Sequence, residues 1–313
     1  MQFKILGPIE TVVSDQTVTP QPAKIRAVLA LLCAHSGSVV SRKSLVDALW
    51  NGHPPRTART ALQVYVSKLR KHLDEHADLA NRLVTRPHGY SLDLETGELD
   101  LDSFDRLVRE AQASSAEGRP RDALRCLESA CALWRGPALA DLRGSEPFDT
   151  LARQLDERRI DALDQRIGIQ LALGQHTHVI SELYGLVAQY PTWEAVHEHL
   201  MLSLYRSGRV AESLDVYRMI RLTLVHALGL EPGDRIQRLQ RSILSRDPEL
   251  DEIQLLSAAW SYRAQARIRH SFSGIQVSAG THRNSYGPRG TSCFHTCRKD
   301  STIRSSTQFP RSR

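Results

Sequence analysis

Residues 57 to 73 read TARTALQVYVSKLRKHL. Leu62, Val66, Leu69 and Leu73 fall at i, i+4, i+7 and i+11, the buried stripe of an α-helix, with Ala61 and Tyr65 beside it. The opposite side carries Thr60, Gln63, Val64, Ser67, Lys68 and Lys71. No acid occurs before Asp74, so the outward side is basic and rich in hydrogen-bonding groups.

The flanking sequence turns this helix into a fold. Downstream, Leu83 to Leu94 shows two alternating strand patterns joined at Pro87-His88-Gly89, with Arg86 beside the turn. Upstream, Ser41 can cap a helix whose apolar set is Leu45, Val46, Leu49 and Trp50; the loop Asn51-Gly52-His53-Pro54-Pro55 separates it from the opening stretch. Before that, Ile25, Val28, Leu29 and Leu32 mark a first helix, which Ser36-Gly37-Ser38 stops. Phe3 to Ile9, Thr11 to Val13 and Thr17 to Thr19 read as short strands broken by Gly7-Pro8 and Ser14-Asp15. A small sheet, three helices and a terminal hairpin form an α+β winged helix-turn-helix plan, expected over residues 1–97.

That plan gives the basic face a chemistry. A helix seated in the DNA major groove can pair Gln with adenine and Ser or Thr with either partner, and can rest a Val methyl on the thymine methyl. Thr60, Gln63, Val64 and Ser67 are therefore the candidate base contacts. Arg56, Arg59, Lys68 and Lys71 are candidate phosphate contacts that fix register and make affinity salt-dependent, and Arg86 on the hairpin is placed to reach the backbone or minor groove. Arg70, next to buried Leu69, and Tyr90, in the hairpin, stay open between touching DNA and bracing the domain.

From residue 98 the strand pattern gives way to helices. A helical run ends at Ala116, and Gly118-Arg119-Pro120 turns into a second that reaches Trp134. The same turn recurs at Gly174 and Gly208, each time with Leu or Ile six positions on: Leu124, Ile180 and Leu214. The last two glycines are 34 residues apart, the period of tetratricopeptide-type hairpins. The first interval is 56 and needs an insertion, supplied by Trp134 to Leu139 and the Pro147-Phe148 segment. Residues 98–250 are thus expected to be all-α, tetratricopeptide-like and protein-binding. Phosphate-loop, nucleophile-elbow and His-Glu-x-x-His patterns are missing, so no enzyme activity is expected. His197 and His199, two apart on a helix, face different ways and are expected at the surface.

Charge follows the same division. Residues 1–97 hold 12 Lys/Arg against 8 Asp/Glu, residues 98–250 hold 19 against 24, and residues 251–313 hold 10 against 3, which makes up the net +6. A basic head, an acidic body and a strongly basic tail suit a DNA-binding head joined to a protein-binding body. The tail, rich in Ser, Arg, Thr and Gly, is expected to be disordered. Cys33, Cys126, Cys131, Cys293 and Cys297 fit reduced thiols in a cytoplasmic, nucleoid-associated protein. Cys293 and Cys297 with His282 and His295 lack the spacing of a zinc site; no metal or cofactor is expected. Apolar runs fall short of the roughly 20 residues of a membrane span.

Several ordered motifs carry a resemblance. Leu6-Gly7-Pro8, Lys24-x-Arg26, Leu45 to Trp50, Leu62 to Arg70 and Gly89-Tyr90 resemble the DNA-binding head of the Streptomyces antibiotic regulatory protein family. Asp102-Ser103-Phe104, Leu133 to Leu139, Met201 to Arg209 and Leu228 to Gly233 are similar to its bacterial transcriptional activation domain. The resemblance implies an OmpR-type winged helix and a small-form activator of antibiotic or other secondary-metabolite gene clusters. It also implies promoter DNA bound at direct repeats by a head-to-tail homodimer, and RNA polymerase holoenzyme as partner. The strand at residue 3 leaves no receiver domain ahead of the head, so control by aspartyl phosphorylation is not expected. Two other readings are a helical-repeat scaffold and a small-molecule-gated regulator.

Overall fold

The structure, a computed structural model, describes residues 1–77 and 79–250; the basic tail and its Cys293 and Cys297 lie outside the described residues. It opens with an antiparallel sheet of β1 (Gln2–Lys4), β2 (Glu10–Val13) and β3 (Gln16–Thr17). The two-residue turn between β2 and β3 puts Ser14 and Asp15 at φ 46° and 63°, as the strand twist demands of such a loop. Then come α1 (Ala23–Ala34), β4 (Val40–Ser41), α2 (Arg42–Trp50), α3 (Ala58–Ala77), β5 (Leu83–Arg86) and β6 (Gly89–Leu92). The second sheet runs β4-β6-β5, antiparallel throughout, with Thr85 opposite Tyr90 and Val40 opposite Tyr90 on the other side. This is a winged helix-turn-helix.

Local choices explain the elements. Ser41 caps α2 by accepting a hydrogen bond from the Ser44 amide, which satisfies one otherwise orphaned donor. Asn51 ends α2 in the left-handed region, and the Lys24 ammonium bonds the Leu49 carbonyl there while lying 5.6 Å from the Trp50 ring centroid. A single stripe was expected of α1; the structure buries Ala27, Ala30, Leu31 and Cys33 as well. The reason is that α1 meets α2, α3 and β6 on different sides.

The body is a run of helical hairpins: α4 (Asp100–Ala116) with α5 (Pro120–Ala132), α6 (Glu146–Ala172) with α7 (His176–Gln189), and α8 (Glu194–Arg206) with α9 (Val210–Leu228), closed by α10 (Asp234–Ser245). Gly118, Gly174 and Gly208 make the three turns at φ +72°, +76° and +76°, a conformation that side chains resist. Among the described residues no helix is long and apolar enough to cross a membrane.

Two hydrophobic cores divide the described residues, and the division does not follow the change from strands to helices. The first runs from Phe3 to Ala162 and takes in both sheets, α1 to α5 and the front of α6; the second runs from Leu163 to Ile243. Head and body are welded through the insertion after α5. The Arg135 and Leu139 amides donate to the Leu6 and Ile5 carbonyls, at 2.9 and 3.4 Å. The Asp100 carboxylate accepts from the Ile5 and Leu6 amides at 2.9 Å, and Asp141 accepts from the Ile9 amide at 2.8 Å and the Arg26 guanidinium at 2.9 Å. Burial raises the Asp100 pKa despite those amides and Arg135.

The expectation for the histidines of α8 needs correcting. His197 is only 1% exposed and shares a 3.0 Å hydrogen bond with the Trp193 carbonyl, while His199 lies 3.0 Å from an Asp164 carboxylate oxygen. Facing different ways does not reach solvent here, because α8 is enclosed by α6, α7, α9 and α10. Burial lowers the pKa of His197 from 6.5. The unfolded chain therefore takes up the proton first, and stability is lost as pH falls below that value. Melting temperature is expected to drop between about pH 7.5 and about pH 5.5, and His197→Gln, which can still donate to Trp193, to flatten the drop. An unaltered pH slope in that variant would assign the acid sensitivity elsewhere.

Candidate nucleic-acid interface

The second and third helices set the face. α2 and α3 pack together, with Trp50 of α2 stacked on Tyr65 of α3 at 6.2 Å and 23° between planes. Ala58, Leu62, Val66, Leu69 and Leu73 are buried, which fixes the rotation of α3 about its axis. What remains outward is therefore determined: Thr60, Gln63, Val64, Ser67, Lys68 and Lys71 are all exposed along one line, with Arg59 beside it and Arg56 just before the helix.

Their partners matter as much as their places. Among the described residues Arg56, Arg59, Gln63 and Lys68 bond no side chain or backbone group. Lys71 pairs with Glu75 at 3.5 Å, but both side chains are more than half exposed, so the pair is weak. His72 lies behind the face with its ring centroid 4.6 Å from that of His76, and burial followed by that neighbour lowers its pKa. The positive field of α3 therefore comes from the lysines and arginines.

The hairpin of β5 and β6 forms the wing. Pro87 and His88 make a two-residue turn, since Arg86 pairs with Gly89. Gly89 is required by space: a Cβ there would lie 1.9 Å from the Val40 carbonyl oxygen. The Arg86 guanidinium, which sequence placed toward DNA, is half exposed; it donates to Ser91 Oγ at 3.2 Å and lies 3.4 Å from an Asp93 carboxylate oxygen. Tyr90 is 4% exposed. Arg70 turns away from the outward line and donates to the Leu83 carbonyl at 3.0 and 2.8 Å and to Thr85 Oγ1 at 2.7 Å.

One residue of this region went unread in the sequence. Arg42, the first of α2, reaches the wing turn, where its guanidinium donates to the Pro87 carbonyl at 2.7 Å and lies 5.6 Å from the Tyr90 ring centroid. Position 42 is 45 residues from its partner, and no periodicity links the two.

Comparisons with known proteins follow the same division. Residues 16–92 match the family described as Transcriptional regulatory protein, C terminal, and residues 99–244 match the Bacterial transcriptional activator domain. The chain is 34% identical to Regulatory protein DnrI of Streptomyces peucetius, over 80% of its own length and 94% of that protein. It is 35% identical to Transcriptional regulator RedD of Streptomyces coelicolor, over 83% of this chain and 74% of that one. Against Regulatory protein AfsR of Streptomyces coelicolor the identity is 36% over 91% of this chain, which spans only 28% of that longer protein. The solved structure of Mycobacterium tuberculosis EmbR in complex with a low affinity phosphopeptide is similar, with a TM-score of 0.78 and 30% identity, covering 86% of this chain and 70% of that one.

Proposed function

The chain belongs to the Streptomyces antibiotic regulatory protein family of transcriptional activators, and we propose that it reads promoter DNA with the outward line of α3. The observation that carries this is the composition of that line. Base-reading side chains alternate there with cations, and Arg56, Arg59 and Lys68 have no acidic partner among the described residues. Thr60, Gln63, Val64 and Ser67 face the bases; Arg56, Arg59, Lys68 and Lys71 neutralise phosphates; Arg86 joins them from the wing by exchanging Asp93 for phosphate. Residues 1–97 act as the DNA-binding head and 98–250 as the activation body.

The target is a promoter of a secondary-metabolite gene cluster. Protomers bind it head to tail on direct repeats about 10 base pairs apart, on one face of the duplex, and recruit RNA polymerase.

A salt-titrated mobility shift on promoter fragments tests the reading. Five phosphate contacts give a slope of log K against log salt near about −4.5, and Lys68→Ala lowers its magnitude by about 0.9. Gln63→Ala is expected to cost about 1–3 kcal/mol on the native site and to relax preference at one or two base pairs. Salt-insensitive binding would remove the phosphate role, and an equal loss on every sequence from Gln63→Ala would remove the base-reading role.

A further inference from the structure

The wing is held by two arginines, one from each helix of the helix-turn-helix. Arg42 acts on the turn. Its amide donates to the His88 carbonyl at 3.0 Å, and its guanidinium donates to the Pro87 carbonyl at 2.7 Å and the Arg86 carbonyl at 3.3 Å. Three consecutive carbonyls at the wing tip are thus taken by one residue, whose guanidinium also rests over Tyr90. Arg70 acts on the strand. β5 is the edge of its sheet, and the Arg70 guanidinium holds it to α3 through Leu83 and Thr85.

We propose that Arg42, with Arg70, is a positioning residue for DNA recognition: it fixes the wing turn against α2 and α3 without itself contacting DNA. Carbonyl oxygens are the negative ends of their dipoles, and a tip that presented three of them would repel phosphate. Bound to a guanidinium, they leave Pro87 and the His88 side chain as the exposed tip and a positive charge behind it. With the same guanidinium over Tyr90, the wing and α3 dock as one piece, so the order is not lost again on binding.

This inference rests on the DNA-binding reading, and lysine separates the two. Lys keeps the charge of Arg42 but cannot fork to two carbonyls or lie flat on the Tyr90 ring. With promoter DNA carrying the site, Arg42→Lys and Arg42→Ala are both expected to weaken binding about tenfold and to leave the salt slope within about half a unit of the original. In an Arg86→Ala background either change is expected to add little, since the wing contact is already lost. Amide exchange from Arg86 to Tyr90 in the free protein is expected to speed up in both variants, with thermal melts confirming that each is folded.

Binding retained by Arg42→Lys, together with a salt slope reduced by about 0.9 in Arg42→Ala, would make Arg42 a phosphate contact and overturn the positioning role. Unaltered wing exchange would overturn it as well. Failure of the unmodified chain to bind any genomic fragment would overturn the DNA reading, and the proposal with it.

Discussion

Asp100→Ala is expected to destabilise the protein by about 3–5 kcal/mol, although position 100 is far from the DNA-facing helix. Its side chain is 7% exposed, and its two oxygens accept from the Ile5 and Leu6 amides. Removing the carboxylate strands two donors in the core, each costing about 1–3 kcal/mol, and leaves Arg135 with Glu10 as its remaining acidic partner. The loss falls where β1 leads out of the first sheet into the body, so head and body should loosen together. Asp100→Asn keeps one acceptor oxygen and turns the other into a donor facing an amide; it is expected to cost less than Ala but more than a surface change. Urea unfolding gives the numbers, and a cost below about 1 kcal/mol for Asp100→Ala would mean that water replaces the carboxylate and that the weld is weak.

That weld marks the boundary of what the sequence alone makes legible. Helical periodicity is local, so α3 could be read nearly to its ends: Leu62, Val66, Leu69 and Leu73 are buried and the outward line is exposed, as the spacing requires. The hairpin at Pro87-His88-Gly89 was legible for the same reason. The repeated glycine turns placed the helices of the body, and the interval of 56 revealed an insertion but not its use. Asp100 to Ile5 spans 95 residues and Asp141 to Ile9 spans 132; such pairings are set by how finished elements meet, and no local pattern encodes them.

The same limit applies inside the candidate site. Arg70 lies on the helix whose periodicity was clearest, yet its partners Leu83 and Thr85 belong to a strand that α3 meets only after folding. Arg86 shows the converse. Its place beside the turn could be read, but its present partner Asp93 could not, because 86 and 93 are not opposite one another in the ladder. Burial of His197 and of nearly all of α1 has a related cause. A helix enclosed on several sides loses the one-sided pattern from which exposure is inferred.

Gly89→Ala is expected to be among the most damaging single methyl additions in the head, costing about 3 kcal/mol or more. The added Cβ would lie 1.9 Å from the Val40 carbonyl oxygen, 2.7 Å from the Val40 carbonyl carbon and 3.0 Å from the Ser41 Cα. All three are backbone atoms, and Ser41 is also the cap of α2, so no side chain can swing aside. Relief requires β4 to leave β6, which breaks the Val40–Tyr90 and Ser41–Gly89 pairing and carries Arg42 away from the wing turn. DNA affinity should therefore fall further than the loss of folded protein accounts for. Gly185 provides the contrast, since it is exposed within α7 and an added Cβ there meets nothing within 4 Å. Gly185→Ala is expected to stabilise by about 0.5–1 kcal/mol through helix propensity alone. The same chemical change thus carries opposite signs at two positions. Equal unfolding free energies for the two variants would show that β4 and β6 yield to the methyl, and that the wing is not fixed by this contact.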